Sequence, residues 1–174
     1  MSDDEHALSA GGSARGADAR LGPVGGEPPP RPLFKRILLV VTGIGGYEEV
    51  VRKAGELASV FDAEVVALYV LDQNKVRQLS RFSSKSVEAV EVNLEEDGWT
   101  YLYYTEQQLL ERDVRVFLRF EEGAVVERIL AVEEEINADL LVTQQPSEDE
   151  DRTFRSYLPH IIDHLSCAVL IVST

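Results

Sequence analysis

Two stretches of this sequence carry side chains that bind metal ions in proteins. His160 and His164 lie four residues apart, so on a helix they share one face and have the spacing of a zinc-ligating pair. Two protein ligands are too few for a zinc site, and surface histidines near a helix end explain the pair more simply. The acidic run at 148–151 attracts hard cations such as Mg²⁺, but such a run is usually a solvated loop. We therefore predict no metal site.

The sequence offers few candidate nucleophiles. Cys167 is the only cysteine, which rules out an intramolecular disulfide, and an inert thiol is a simpler interpretation than a redox sensor. Ser156 stands just before an apolar helical pattern and is interpreted as the N-cap of that helix. No serine, histidine and acid arrangement with a nucleophile elbow is visible. These observations predict a protein that is not an enzyme.

A glycine-rich turn, at 43–46, follows the first apolar run of the chain. Gly43 and Gly45 match the start of a dinucleotide-binding fingerprint, but Glu48 stands at the position of its third glycine. A tight turn between a strand and a helix is therefore the preferred interpretation.

Composition excludes several kinds of partner. The formal net charge of the 174 residues is −14, and a surface this acidic repels nucleic-acid phosphates and anionic membranes.

Residues 1–33 are rich in Gly, Ala, Pro and Ser and have too few large apolar side chains to form a core, which predicts a disordered tail before a domain at 34–174. No apolar run spans a bilayer and no signal pattern is visible, so we expect a cytoplasmic protein.

Apolar runs and amphipathic patterns alternate along the domain. The runs predict five strands, at 37–41, 65–71, 114–120 (ended by Gly123), 138–142 and 169–172. Helical patterns lie between them, the longest starting near Ser83 or Ser86 and interrupted by Gly98. Residues 73–85 and 144–154 are polar and are predicted to be loops. This order predicts an α/β fold, an open five-stranded parallel sheet with helices on both faces, of the Rossmann-like kind.

The segments FKRILLVVTG, DAEVVALYVLD, EEGAVVERILAVEEEINADLLVT and SYLPHIIDHLSCAVLIV, taken together, resemble the universal stress protein family over nearly the whole folded part. The resemblance implies an adenine nucleotide alpha hydrolase-like fold and homodimers. Some members of that family bind ATP, through an Asp after the first strand and a Gly-x2-Gly-x9-Gly-Ser loop after the fourth.

This sequence departs from the ATP-binding pattern at most of its anchors. Thr42 stands at the position of the Asp, Gln144 at that of the first loop glycine, and Arg155 precedes Ser156 where the family has Gly-Ser. Gly43 and the adenine-side Val70 are retained, but strand packing and a tight turn require such residues anyway. The resemblance therefore implies the type without ATP, and ATP or AMP as a cofactor is disfavoured. An anionic-ligand sensor that uses Arg152 and Arg155, beside the N-terminus of the last helix, remains an alternative.

Two further features predict protein contacts. Val169, Leu170, Ile171 and Val172 form a strand without charge or proline, which as a sheet edge offers a pairing surface for a homodimer. Trp99, Tyr101, Tyr103 and Tyr104 cannot all face the core from one helix, so they serve either ordinary packing or an unidentified protein partner.

Overall fold

The computed structural model describes residues 33–43, 45–83, 85–145 and 152–173, and for 152–155 the backbone only. The acidic run at 148–151 and nearly all of the predicted tail lie outside the described residues. Within them, the strands are β1 (Arg36–Val40), β2 (Glu64–Asp72), β3 (Val116–Gly123), β4 (Leu140–Gln144) and β5 (Ala168–Val172). The helices are α1 (Tyr47–Phe61), α2 (Gln73–Ser83), α3 (Val87–Leu110), α4 (Val125–Ile136) and α5 (Arg152–His164).

The five strands form one parallel sheet in the order β3-β2-β1-β4-β5, which confirms the predicted architecture. The central strand β1 pairs with β2 on one side and β4 on the other, and Ile37 stands opposite both Val65 and Leu140. Chain order reverses between β1 and β4. In sheets of this kind, that switch point is where the carboxyl ends of the strands leave a crevice.

Two layers of helices cover the sheet. Alternate residues of β1 point to opposite faces, so Ile37 and Leu39 join the core under α1 and α3, whereas Leu38 and Val40 join the core under α4 and α5. The side chains from Ile37 to Val40 are all buried. A strand buried on both faces must be apolar throughout, which is why its sequence is a continuous apolar run.

Residues 73–85 were wrongly predicted to be a loop, because most of them form helix α2. Asp72 starts this helix, since its carboxylate accepts the backbone N–H of Asn74 at 2.8 Å. Val76 is the buried residue of α2 and packs with Leu71 and Val90. One anchoring side chain among basic and polar neighbours gives no clear apolar period, so the helix depends on contacts from outside its own sequence.

Three other predictions need correction. Helix α5 already begins at Arg152, so Ser156 lies inside it and is not its N-cap. The polar loop predicted at 144–154 is shorter, since Gln144 ends β4. Strand β3 continues through Gly123, because pairing with β2 extends to Asp72. The predicted start of α3 is correct, with the Ser86 hydroxyl accepting the N–H of Ala89 at 3.2 Å.

Gly98 allows α3 to approach the sheet closely. A Cβ atom at this position would lie 2.5 Å from a ring carbon of Tyr69 and 2.9 Å from one of Phe120. Those two rings stack on each other, with centroids 5.6 Å apart, and lie between the helix and strands β2 and β3. The helix interior therefore accepts the glycine because a larger residue would force the helix away from these rings.

We expect Gly98→Ala to destabilise the domain by about 1–3 kcal/mol, although alanine is the better helix former by about 1 kcal/mol. Urea unfolding measures the change, with Asn93→Ala on an exposed position of the same helix as the control. The control should be neutral or slightly stabilising. A Gly98→Ala variant as stable as the parent would show that the rings do not limit the approach of α3.

Candidate functional site

The side chain of Gln144 spans the switch point of the sheet. It is 2% exposed at the carboxyl end of β4, and its Oε1 accepts the hydroxyl proton of Thr42 at 3.3 Å. Its Nε2 donates to the backbone carbonyl of Gly45. One side chain thus fastens the turn after β1 to the end of β4, across the crevice where such sheets place a ligand.

The turn after β1 is also held from the helix side. Gly43 has φ of 66°, a left-handed conformation in which glycine is not strained. A Cβ atom there would lie 2.2 Å from the Tyr101 ring, so the backbone rests directly against that side chain. Thr42 and Gly43, both predicted site residues, are therefore engaged in contacts within the protein.

A cleft opens beside this turn, over the carboxyl ends of β1 and β2. Its walls are mainly apolar, and the polar groups that line it belong to Thr42, Asp72, Lys75 and the two tyrosines, Tyr69 and Tyr157. The lining residues are Val40, Val41, Thr42, Tyr69, Val70, Leu71, Asp72, Lys75, Leu94, Val125 and Tyr157. A mainly apolar cleft with a few polar groups is the usual form of a small-molecule site.

Asp72 is the buried acid of the cleft, and its carboxylate is satisfied by the protein itself. One oxygen caps α2 through Asn74, and the other accepts the hydroxyl proton of Tyr157 at 3.3 Å. These bonds join β2, α2 and α5 at one point. An acid held in this way acts as a structural link, and a general base would need a free oxygen facing the cleft.

Tyr69 lines the cleft from β2 and forms part of a stacked aromatic group. Its ring stacks on Phe120 and lies 6.4 Å, centroid to centroid, from the ring of Tyr101. Burial raises the pKa of Tyr69 to about 12, with smaller contributions from Tyr101 and the negative charge of Asp97. The phenol therefore stays protonated at neutral pH and is poorly suited to act as a base.

The structure brings together only some of the predicted pocket residues. Thr42 and Gln144 are in contact, and Val70 lines the cleft with Thr42. Ser156 lies exposed on α5, and the side chain of Arg155 falls outside the described residues.

Sequence reasoning did not predict Lys75 or Tyr157 in the cleft. It included Asp72 only through the general rule that ligands of such sheets lie beyond the carboxyl ends of the strands, here 70–72. A more specific signal was present for Asp72 and Lys75, since an Asp directly after a buried strand and a Lys three residues later suit a helix start at a strand end. Tyr157 lies 85 residues from Asp72 in the chain, so only the fold brings the two together.

The histidine pair and the cysteine do not line this cleft. His160 and His164 share a groove beside α4, and the Nδ1 atom of His164 lies 2.8 Å from the carbonyl of His160. Among the described residues, no three His, Cys, Asp or Glu side chains come close enough to hold a metal ion. Cys167 is half buried, and burial together with Glu133 raises the pKa of its thiol to about 11. The thiol is therefore protonated at neutral pH, which lowers its nucleophilicity.

The fold is a doubly wound α/β sheet whose switch point is spanned by the side chain of Gln144. Residues 33–173 match the model of the family described as Universal stress protein family. The chain therefore belongs to the universal stress protein family, as its sequence motifs indicate.

Similarity to individual proteins agrees with this assignment. The universal stress protein MJ0531 of Methanocaldococcus jannaschii is 29% identical over 142 residues, which cover 80% of this chain and 82% of that protein. The structure of the hypothetical protein MJ0577 has a TM-score of 0.67 at 17% identity, over 82% of this chain and 97% of the other.

A universal stress protein from Archaeoglobus fulgidus, solved in complex with dAMP, has a TM-score of 0.57 at 14% identity, over 80% and 98% of the two chains. At such low identities, these solved structures support the fold alone.

Among the described residues, no helix combines the length and the apolar character needed to cross a membrane.

We expect Gln144→Leu to destabilise the domain by about 1–3 kcal/mol, because it leaves the Gly45 carbonyl and the Thr42 hydroxyl without this partner. Urea unfolding checks this against Gln107→Leu, an exposed position of α3 that should change stability by less than about 0.5 kcal/mol. Equal stabilities of the two variants would mean that Gln144 does not fasten the switch point.

Proposed function

We propose that this protein is a dimeric stress or signalling module that acts by binding other proteins, without catalysis and without ATP. The observation that carries the proposal is the side chain of Gln144, which occupies the switch point and bonds to both Thr42 and Gly45. The proposal includes a cytoplasmic location.

The closed switch point disfavours phosphate binding for a physical reason. Glycine loops bind phosphates because backbone N–H groups approach the anion closely at a helix N-terminus. Gln144 instead directs its amide toward a backbone carbonyl, and its bulk fills the space that a loop glycine would leave. A phosphate here would have to displace Gln144 and break both of its bonds to the turn.

A catalytic role lacks the necessary groups in the described part of the cleft. Asp72 is committed to Asn74 and Tyr157, and the phenol of Tyr69 holds its proton well above neutral pH. Catalysis requires a base within reach of a substrate proton and with a pKa near the working pH. The cleft is therefore better suited to packing or to binding than to proton transfer.

A nucleotide or other anionic ligand remains the second candidate, for two specific reasons. Lys75 lines the cleft together with apolar side chains that could hold a nucleobase. Fold relatives have been solved with adenine nucleotides, namely the dAMP complex and a universal stress protein in complex with cAMP. In this alternative, Lys75 and Arg155 bind the anion in place of the glycine loop.

We expect no rise in melting temperature when the purified full chain is titrated with ATP, ADP, AMP or cAMP, with or without Mg²⁺. A ligand at 100 times its dissociation constant adds about 2.7 kcal/mol of stability, so binding would be easily detected by differential scanning fluorimetry.

Lys75→Ala identifies the site if a shift does occur. A rise in melting temperature that Lys75→Ala abolishes and Lys85→Ala preserves would replace the proposed function with the anionic-ligand sensor. Lys85 is exposed and does not line the cleft, so it controls for the loss of one positive charge.

The dimer is proposed to form through strand β5. This strand is a sheet edge, because it pairs with β4 on one side only, and Ile171 is 38% exposed on it. Two such strands can pair about a twofold axis and satisfy each other's free backbone groups. The opposite edge, β3, carries the charged side chains Arg119 and Glu121, and charges discourage edge pairing.

We expect Ile171→Lys to convert the dimer to a monomer, because two lysines would meet near the twofold axis in place of apolar side chains. Sedimentation velocity at micromolar concentration measures the change. Phe117→Lys, on the opposite edge strand and 55% exposed, is the matched control and should remain dimeric. A monomeric parent, or a dimer broken only by Phe117→Lys, would contradict the β5 interface.

A further inference from the structure

Helix α3 carries a row of exposed apolar side chains on its outer surface. Val92, Tyr103 and Leu110 are 53%, 57% and 56% exposed, and Trp99 is half buried. At 100° per residue, steps of seven, four and seven residues keep these four side chains within about 40° of one another around the helix. We call the row formed by Val92, Trp99, Tyr103 and Leu110 the α3 seam.

Two carboxylates complete the pattern of the α3 seam. Glu96 and Glu106 fall between its members, so that 92, 96, 99, 103, 106 and 110 follow one another in steps of four and three. This is the spacing of side chains that face a partner helix in a coiled coil. The seam therefore has six partner-facing positions, of which four are apolar and two are acidic.

The helix has an unusual charge distribution for a solvent-facing element. Between Val87 and Leu110 it has six acidic residues and no basic one. Surface helices usually alternate the two signs, which gives stabilising pairs within the helix. Here neither Glu96 nor Glu106 has a cation available one turn away on α3, so a partner that supplied one would gain an ion pair.

Charge decides which occupant fits the seam. A second copy in parallel would place Glu96 against Glu96, and an antiparallel copy would place Glu96 against Glu106, so self-pairing brings like charges together in both orientations. Anionic lipid surfaces are repelled in the same way. A helix with apolar side chains in heptad spacing and Lys or Arg opposite the two glutamates matches every position.

We propose that the α3 seam is the docking surface for a basic amphipathic helix of a partner protein. This rests on the partner-binding role proposed above and names its surface and the chemistry of its ligand. The partner's apolar side chains pack on Val92, Trp99, Tyr103 and Leu110, and its basic side chains pair with Glu96 and Glu106. Amphipathic helices commonly bind to apolar surfaces through such i, i+3, i+4 and i+7 anchors.

The aromatic centre of the seam is already held in position. Trp99 stacks on Phe120, with centroids 5.2 Å apart and planes 11° apart, and on Tyr103 at 5.6 Å. Side chains fixed before binding lose little conformational entropy in a complex. Trp99 is also the only tryptophan of the chain, so its fluorescence reports directly on this surface.

The experiment titrates the full chain with a synthetic helical peptide of roughly 20 residues, long enough to span the seam at 1.5 Å per residue. The peptide has Leu in heptad spacing and Lys elsewhere, and its counterpart replaces every Lys with Glu. We expect the basic peptide to bind by calorimetry and to shift the emission of Trp99, and the acidic peptide to do neither.

Matched variants separate the seam from the overall negative charge. The double variant Glu96→Gln, Glu106→Gln should weaken binding of the basic peptide about tenfold. The control double variant Asp97→Asn, Asp163→Asn removes two exposed carboxylates outside the seam and should change the affinity less than about twofold. Leu110→Ala should weaken binding, and Val60→Ala, at a 77% exposed position of α1, should not.

Several outcomes would overturn the proposal. Equal losses in the seam and control variants would assign the binding to net charge, and binding of the acidic peptide, or no binding of the basic one, would exclude a basic partner helix. If the seam variants abolished self-association of the parent, the occupant would be a second copy. The nucleotide and β5 experiments test other surfaces, so their results do not depend on any of these outcomes.

Discussion

The side chains of strand β1 from Ile37 to Val40 are all buried, and this constraint sets the arrangement of the rest of the domain. It pairs on both sides and is covered on both faces, so its buried residues must be apolar and its backbone groups must bond to β2 and β4. The chain can place polar groups only where the strand stops. Thr42, two residues beyond β1 and after the buried Val41, is therefore the first polar side chain past the strand, and the switch point with β4 lies beside it.

The side chain of Gln144 occupies the space beside Thr42 at this switch point. A loop that binds phosphate needs free backbone N–H groups and room for the anion. Here Gln144 fills the room and bonds to the turn after β1. The same bonds tie β4 to β1 beyond their last paired residues, Leu39 and Val142. In the function proposed above, the residue that disfavours a phosphate therefore also links two strands of the sheet.

The sequence predicted the sheet well because each buried strand and each amphipathic helix carries its own pattern. It failed where structure depends on distant residues. Helix α2 has one buried anchor, Val76, whose partners come from β2 and α3. The bonds of Gln144 to Thr42 and of Tyr157 to Asp72 join residues 102 and 85 positions apart. The sequence identified Gln144 as a departure from the family pattern, but only the fold shows which groups it bonds.

Helix α3 combines negative charge with exposed apolar side chains, since it has six acidic residues and no basic one. If the acidic residues of α3 served solubility alone, a row of exposed apolar side chains beside them would not be expected, because exposed apolar area lowers solubility. On its sheet-facing side, α3 packs through the buried Leu102 and Leu109 and approaches the sheet closely at Gly98. The side chains of Val92, Tyr103 and Leu110 remain more than half exposed. This acidic and apolar face of α3 is the surface that the proposed partner helix would contact.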